Sequence, residues 1–154
     1  MSPAAIGVIG AGECDAEISR QAFAVGKGIA CRGAMLICGG LSGVMEAACH
    51  GARESGGETI GVLPGNDRSE ANPHVTIPIA TGIGHARNYV IINTADALIA
   101  IGGSHGTLSE IGFALKAGKR VVGLHTWDIE GVIKAETPEQ AVALALESVG
   151  HVDS

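Results

Sequence analysis

The chain has 154 residues, of which 46% are apolar and only 3% aromatic, and a net charge of −6. Its length suits a single domain with one aliphatic core, and an acidic chain with so few aromatic rings is a poor match for nucleic acid. No apolar segment reaches the roughly 18 residues that cross a bilayer, and residues 1–4 lack the basic segment of a signal peptide. We therefore expect a cytoplasmic protein with neither a membrane nor a nucleic-acid partner.

Apolar segments of strand length alternate along the chain with amphipathic helical segments. The predicted strands are residues 5–10, 34–38, 59–63, 75–79, 97–101 and 120–124. The predicted helices are residues 15–32, 44–55, 85–95 and 107–117, and a last helix that begins after Thr137. Pro78 indicates that the fourth strand is an edge strand or ends there. The alternation predicts an α/β fold: a doubly wound parallel sheet flanked by helices, forming one domain over residues 1–154 with a frayed tail from about residue 150.

Helix boundaries carry recognisable capping residues. Asp15 is the predicted N-cap of the first helix, and Gly33 suits a left-handed residue just beyond its end. Thr137, Pro138 and Gln140 form a capping box that starts the last helix.

Three glycine-bearing turns each follow a predicted strand and precede a predicted helix. They are Gly10–Gly12, Gly39–Gly43 and Gly102–Gly106. Because the carboxyl ends of parallel strands meet at one edge of the sheet, these turns are expected near one ligand site. Glycine lets a ligand approach the main chain closely, and the helix behind each turn offers free N–H groups to an anion. This predicts a phosphate-bearing, nucleotide-like ligand, although tight turns that merely need glycine are the alternative, above all for Gly10–Gly12.

Two familiar phosphate-binding motifs do not match these loops. A Walker A loop requires a lysine that none of the turns has, which disfavours ATP hydrolysis. A nicotinamide-cofactor fingerprint requires a third glycine or alanine where Asp15 stands, and an acid at the end of the second strand, where the chain has Cys38 and Gly39.

Charged and polar side chains are predicted at the same edge. Arg87 begins an apolar helical segment, where it can hold a phosphate in bidentate fashion or be an exposed or ion-paired arginine. Glu110 either serves the site or completes a capping box with Thr107. His85 and His105 lie in site loops. The six histidines lack metal-ligand spacing, so no metal site is expected.

The four cysteines, Cys14, Cys31, Cys38 and Cys49, include no C-x-x-C pair. They are expected to be small buried hydrophobic residues in a reducing compartment.

The segment from Gly39 to Glu46 resembles the G-G-x-x-G-x-M-[ED] loop of the lysine decarboxylase-like Rossmann superfamily, whose name is a misannotation. Arg87, then Asp96, then Gly103-x-x-Gly106-Thr107-x-x-Glu110 resemble the second half of that signature, P-G-G-x-G-T-x-x-E. The superfamily includes the "lonely guy" cytokinin phosphoribohydrolases and the molybdenum cofactor carrier proteins. The likeness extends from about Val8 to Leu124.

The resemblance implies a Rossmann-like, nucleotide-binding domain and a homodimer or homotetramer built through the helix that contains Arg87. In the hydrolases, the matching arginine and glutamate are implicated in cleaving an N-glycosidic bond. Carried over, Arg87 would hold the anionic substrate and Glu110 would stabilise an oxocarbenium-like transition state or orient water. The candidate ligand-binding residues are Gly10, Gly12, Gly39, Gly40, Ser42, Gly43, Met45, Glu46, His85, Arg87, Asn88, Gly102, Gly103, Ser104, His105, Gly106 and Thr107.

Three departures from the signature favour the molybdenum cofactor carrier-like branch. Gly102 replaces the signature proline, Ser104 replaces its second glycine, and Ser109 stands where the hydrolases often carry another glutamate. The favoured interpretation is a binding or carrier protein for a phosphate-bearing nucleotide-like or molybdopterin-like molecule. It requires no cofactor of its own, and the molybdenum cofactor or a nucleotide is its bound ligand. The alternatives are a nucleoside 5′-monophosphate phosphoribohydrolase, with Arg87 and Glu110 as catalytic residues, and a nucleotide-sensing or partner-binding module.

Overall fold

The computed structural model describes residues 3–147 and residue 149, so the predicted frayed tail lies outside the described residues. The strands are β1 (Ala5–Gly10), β2 (Met35–Cys38), β3 (Thr59–Leu63), β4 (Ile77–Ala80), β5 (Ala97–Ile101), β6 (Val121–Leu124) and β7 (Val132–Ala135). The helices are α1 (Ala16–Cys31), α2 (Val44–Glu54), α3 (Arg87–Thr94), α4 (His105–Lys116) and α5 (Pro138–Glu147). Short 3-10 turns cover Arg68–Glu70 and Gly84–Ala86.

The strands form one parallel sheet in the order β4-β3-β2-β1-β5-β6-β7. The chain builds outward from β1 to β4, returns to place β5 beside β1, and then builds in the other direction. This confirms the predicted doubly wound α/β fold. The order switches between β1 and β5, where Gly10 is in register with Ile101. The loops that follow these two strands therefore flank the crevice where ligands bind in open α/β sheets.

Helices cover both faces of the sheet. One face packs against α1, α2 and α5 through Ala22, Val25, Ala48 and Val142, and the other packs against α3 and α4. Because both faces are covered, β1 and β5 are apolar at nearly every position, as expected of central parallel strands. Among the described residues, no helix has the length and hydropathy that crossing a membrane requires.

The sheet has one strand more than the sequence pattern predicted. β7 spans only Val132–Ala135 and pairs with β6 at the edge of the sheet. Its four residues include Lys134, so the segment lacks the continuous apolar run by which the other strands were found. At the opposite edge lies β4, where Pro78 predicted an edge strand.

The helix caps partly follow the predictions. Asp15 caps α1 by accepting a 2.8 Å hydrogen bond from the Ile18 amide, and Gly33 has a φ of 74° just beyond that helix. At α5, the Thr137 hydroxyl accepts from the Gln140 amide at 3.1 Å, but the Gln140 side chain accepts from the Glu136 amide instead of returning to Thr137.

The predicted capping box at α4 is wrong. α4 begins at His105, and its N-cap is Ser104, whose Oγ accepts a 3.1 Å hydrogen bond from the Thr107 amide. Thr107 is thus the third helical residue, and Glu110 lies too far along the helix to reach its cap.

The expectation for the cysteines holds for only half of them. Cys38 and Cys49 are buried, whereas Cys14 and Cys31 are exposed. Cys14 precedes the N-cap of α1 and Cys31 ends that helix, and helix ends lie at the surface of this fold.

Candidate functional site

A cavity of about 790 Å³ opens above the carboxyl ends of the central strands. It is bordered by the loops after β1 and β2, by the start of α3, and by α4. Residues predicted from the sequence that line it are Gly10, Gly12, Gly39, Met45, His85, Arg87, Asn88, Ser104, Gly106, Thr107 and Glu110. We call this space the ligand cavity. Its size falls within the range of small-molecule sites, which run from about 300 to 1,000 Å³.

Other predicted residues do not line the ligand cavity. They are Gly40, Ser42, Gly43, Glu46, Gly102, Gly103 and His105. Gly43 and Glu46 instead border a separate cavity of about 440 Å³, which α1 residues also line. The His105 ring lies nearly parallel to Trp127, with ring centroids 6.1 Å apart.

Glycines allow the first two loops to pack directly against each other. A Cβ on Gly10 would lie 2.4 Å from the Val44 side chain, and a Cβ on Gly43 would lie 2.3 Å from the Ala11 carbonyl oxygen. The Val44 amide donates to that same oxygen at 3.0 Å, and the Ser42 hydroxyl donates to the Gly12 carbonyl at 2.8 Å. Gly10 and Gly43 therefore permit the close contact between the two loops.

The start of α4 offers main-chain amides beside the ligand cavity. Because the first turn of a helix has no intrahelical acceptors for its N–H groups, the His105 and Gly106 amides lack such partners. Ser104 Oγ accepts a hydrogen bond from the Thr107 amide and lies 2.7 Å from Thr107 Oγ1. The Trp127 indole donates to the Ser104 carbonyl at 2.9 Å and fixes the loop from outside. The partial positive charge of the helix N-terminus therefore lies at the wall of the ligand cavity.

Arg87 is held rigidly beneath the ligand cavity. Its side chain is buried, with 7% of the residue exposed. Nε donates to the Val62 carbonyl at 2.8 Å, Nη1 donates to Asn88 Oδ1, and Nη2 lies against Gly39. Among the described residues, no carboxylate lies within 4.0 Å of Arg87, so the alternative of an exposed or ion-paired arginine does not describe it. Burial lowers the pKa of Arg87, and the charges of Glu110 and Cys38 partly oppose that shift.

Glu110 faces the same ligand cavity from the second turn of α4. Burial raises the pKa of this carboxyl to about 7, and the positive charge of Arg87 only partly offsets the effect. Near neutral pH the group is therefore divided between its protonated and ionised forms, and it can donate as well as accept a hydrogen bond.

Asp96 of the signature lies away from the ligand cavity. Its Oδ2 accepts a 2.8 Å hydrogen bond from the Ala5 amide, at the amino end of β1. The opposite end of the sheet carries the site, so Asp96 aligns β5 with β1.

An aromatic pair at the ligand cavity was missed by the sequence analysis. Tyr89 and Phe113 line it with ring centroids 4.9 Å apart. Helical spacing was the available signal for Phe113, which follows Glu110 by three positions and so lies on nearly the same side of α4. Tyr89 follows Arg87 by only two positions, so spacing gave no signal for it. The structure describes no group of three or more His, Cys, Asp or Glu side chains arranged to hold a metal ion.

A family model, the SLOG cluster4 family, matches residues 3–151. The chain belongs to the SLOG cluster4 family. A relative of this SLOG chain, an uncharacterized protein of Archaeoglobus fulgidus, is 51% identical over 144 residues, which cover 93% of this chain and 95% of that protein.

Two solved structures resemble this SLOG cluster4 member over nearly its whole length. The molybdenum cofactor binding protein from the phototrophic bacterium Rippkaea orientalis is 35% identical with a TM-score of 0.89, covering 100% of this chain and 99% of its own. The molybdenum cofactor carrier protein from Chlamydomonas reinhardtii is 36% identical with a TM-score of 0.87, covering 97% and 99%. These relatives confirm the resemblance to the carrier-like branch that the glycine motifs indicated.

Proposed function

We propose that this SLOG cluster4 member is a binding or carrier protein for a phosphate-bearing molecule of the nucleotide or molybdopterin class. The buried guanidinium of Arg87 carries the proposal. A buried cation is costly unless an anion accompanies it, and the described residues supply no carboxylate within 4.0 Å. The ligand cavity leaves room for that anion beside Gly39 and Gly106.

The remaining walls suit a planar ring system attached to the phosphate. Met45 and Ile92 provide apolar surface and Tyr89 and Phe113 provide aromatic surface, while the Ser109 hydroxyl adds a polar group. In this arrangement Arg87 and the first amides of α4 hold the phosphate, and the aromatic pair packs against the ring.

The relatives support the same class of ligand. The two structures described above are named as proteins that bind or carry the molybdenum cofactor, which makes that molecule the first ligand to test here. On this proposal the protein needs no catalytic cofactor, acts in the cytoplasm as a homodimer or homotetramer, and binds neither nucleic acid nor membrane.

A second candidate function is hydrolysis of a nucleoside 5′-monophosphate at its N-glycosidic bond. The observation that favours it is Glu110, which shares the ligand cavity with Arg87 and has a pKa raised to about 7. An ionised Glu110 would stabilise a developing oxocarbenium ion or orient water. Arg87 does not release its proton at physiological pH and would only bind the phosphate.

Calorimetric titration combined with product analysis tests both candidates. The purified protein is titrated with AMP, a phosphorylated pterin and inorganic phosphate, and chromatography measures any free base released from AMP. The carrier proposal expects saturable binding without release of adenine. Arg87→Lys should weaken binding at least tenfold, since lysine loses the planar fork that grips a phosphate.

Arg120→Lys is the matched control for Arg87→Lys. Arg120 is also partly buried and donates to a main-chain carbonyl, that of Leu144, at 3.0 Å, but it precedes β6 at the far end of the sheet. Binding should be unchanged in this variant. Adenine release that disappears in Glu110→Ala would replace the carrier proposal by the hydrolase, and the absence of both binding and turnover would reject the two together.

A further inference from the structure

Two buried cysteines lie in contact behind the loop that joins β2 to α2. Cys38 is the last residue of β2, and Cys49 lies in the second turn of α2. Their Sγ atoms are 3.5 Å apart, and neither residue is exposed. The segment between them, residues 39–48, contains the glycine loop and Met45, both of which reach the ligand cavity.

Polar groups surround the Cys38 sulfur. The Gly40 amide donates to its Sγ at 3.4 Å. Sharing a proton with Cys49 lowers the pKa of the Cys38 thiol; burial opposes this, and the Gly40 amide and the charge of Arg87 assist it. A buried cysteine in purely apolar surroundings is inert, whereas Cys38 has a second thiol, an amide donor and a nearby cation.

We propose that Cys38 and Cys49 form a reversible disulfide. This bond restricts the motion of the glycine loop between them and lowers the affinity of the ligand cavity for its phosphorylated ligand. The disulfide rests on the geometry of the two thiols alone, and its effect on affinity rests on the proposed function. The oxidant it requires is a small peroxide, which must reach the pair through local openings of the loop, because neither cysteine has exposed surface.

The chemistry balances in two steps. The Cys38 thiolate attacks one peroxide oxygen, which breaks the O–O bond, gives a sulfenic acid and releases hydroxide or water. The sulfur of Cys49 then attacks the sulfenic sulfur; the S–S bond forms, the hydroxyl leaves, and the thiol proton completes a second water. Two thiols lose two electrons, and one peroxide gains them. A dithiol reductant reverses the change.

The disulfide would change the ligand cavity because Gly39, which lines the cavity, directly follows Cys38. A Cβ on Gly39 would lie 2.7 Å from Arg87 Nη2 and 2.9 Å from Met45 Sδ, so little free space separates the loop from the guanidinium. Forming the bond brings the sulfurs from 3.5 Å to about 2 Å apart, which displaces the Cys38 sulfur that accepts from the Gly40 amide. We therefore expect the shift to displace the guanidinium and weaken binding, as a misplacement of about 1 Å in an enzyme site can cost about 100-fold in rate.

The experiment uses the full chain with Cys14 and Cys31 changed to serine. Both residues are exposed, so removing them prevents cross-links between chains without touching the buried pair. After treatment with hydrogen peroxide, denaturing thiol titration, intact mass and peptide mapping follow the two remaining cysteines. Amide hydrogen exchange over residues 39–48 reports on the loop without any ligand, and titration with AMP reports on affinity.

The expected result is loss of two hydrogen atoms per chain, a mapped Cys38–Cys49 cross-link, slower exchange over residues 39–48, and AMP affinity at least tenfold weaker until a dithiol restores it. Cys49→Ser should abolish all four changes. Peroxide that leaves both thiols free, or carries Cys38 to sulfinic acid without a cross-link, overturns the proposal. A cross-link that leaves exchange and AMP affinity unchanged overturns its effect on the cavity. If neither AMP nor a phosphorylated pterin binds in either state, the proposed function fails, and the thiol and exchange measurements still decide the disulfide.

Discussion

Because Gly39 has no side chain, the Arg87 guanidinium can occupy the space beside it. The absent Cβ would sit 2.7 Å from Nη2 and 2.9 Å from Met45 Sδ, both closer than atoms of ordinary side chains approach. The φ angle at Gly39 is not in the left-handed region, so this glycine is required for space and not for backbone conformation. The arginine that the proposed function depends on is therefore positioned by a residue without a side chain.

Gly39→Ala should weaken binding of a phosphorylated ligand about tenfold, because the new methyl group displaces the guanidinium from its Val62 and Asn88 partners. The unfolding free energy should fall by about 1–3 kcal/mol, as is typical of overpacking. Calorimetry and denaturant unfolding measure the two effects.

Gly112→Ala is the control for that change, since nothing lies within 4 Å of a Cβ at this exposed position of α4. It should raise the unfolding free energy by about 0.5–1 kcal/mol and leave ligand binding unchanged. Unaltered affinity in Gly39→Ala would show that Arg87 is not held in place by this contact.

Glu110 should make stability depend on pH. Its pKa is raised from 4.5 to about 7 in the folded chain, so the folded state binds the proton more tightly than the unfolded state. The resulting stabilisation is full below pH 4.5 and is lost as the pH rises towards 7, because the carboxylate must then stay ionised inside the cavity. Glu110→Gln, which stays neutral, should therefore equal the wild type in acid and exceed it by about 3 kcal/mol at alkaline pH.

Chemical unfolding of both proteins from pH 4.5 to pH 8.5 measures this difference. A gap between wild type and Glu110→Gln that is the same at every pH would mean that the carboxyl titrates normally.

At the scale of elements, the closest packing in the fold joins α1 to α2. A Cβ on Gly26 of α1 would lie 1.8 Å from the Ala48 carbonyl oxygen, and a Cβ on Gly51 of α2 would lie 1.9 Å from that of Phe23. Both contacts are with main-chain atoms, which cannot move away by changing rotamer as a side chain can. These two glycines let α1 and α2 pack closely. The loops that precede the two helices are also in direct contact, through the hydrogen bond from the Val44 amide to the Ala11 carbonyl oxygen.

Gly26→Ala should therefore lower the unfolding free energy by about 3 kcal/mol or more, since the helices must separate to admit one methyl group. Denaturant unfolding measures the change. Gly112→Ala is the control, because it makes the same substitution at an exposed helical position. It should raise the unfolding free energy, since there only helix propensity changes. A loss below about 1 kcal/mol for Gly26→Ala would mean that α1 and α2 adjust easily.

At the scale of the whole molecule, one side of the sheet carries an exposed apolar surface. Ile77 and Ile79 on β4 are in register with Ile60 and Val62 on β3, so they project on the face that α3 and α4 cover only in part. Exposed apolar side chains of the two helices continue this surface: Tyr89, Val90 and Phe113, each at least 38% exposed. Exposed apolar side chains on one face are the kind of surface that an oligomer buries, and the proposed homodimer or homotetramer would cover them.

Val90→Asp should dissociate the proposed oligomer into the 15.4 kDa chain, because an aspartate buried in an apolar interface has no partner for its charge. Light scattering after gel filtration gives the mass. Lys27→Asp, at an exposed position of α1 on the other face of the sheet, should leave the mass unchanged. Wild-type protein that is already monomeric would reject the oligomer.

Local patterns in the sequence predicted most of the architecture and part of the candidate site. Mainly apolar runs located six of the seven strands, and glycines after three of them located the turns at the candidate site. β7 escaped detection because four residues with a lysine carry too little periodicity. The start of α4 was misplaced because both Ser104 and Thr107 are good N-cap residues, and only the fold showed which one accepts the amide hydrogen bond.

What the sequence alone determined is the α/β fold and the edge of the sheet at which the candidate site lies, since these follow from turn chemistry and residue order; for Arg87 and Glu110 it left a site role and a structural role open. The tertiary structure decided which glycines face the ligand cavity and which only hold loops together, that Glu110 turns to the cavity and not to its helix cap, and that Cys38 meets Cys49. Those outcomes depend on distances between segments far apart in the chain, and such distances are set by the order of strands in the sheet and the close packing of α1 on α2.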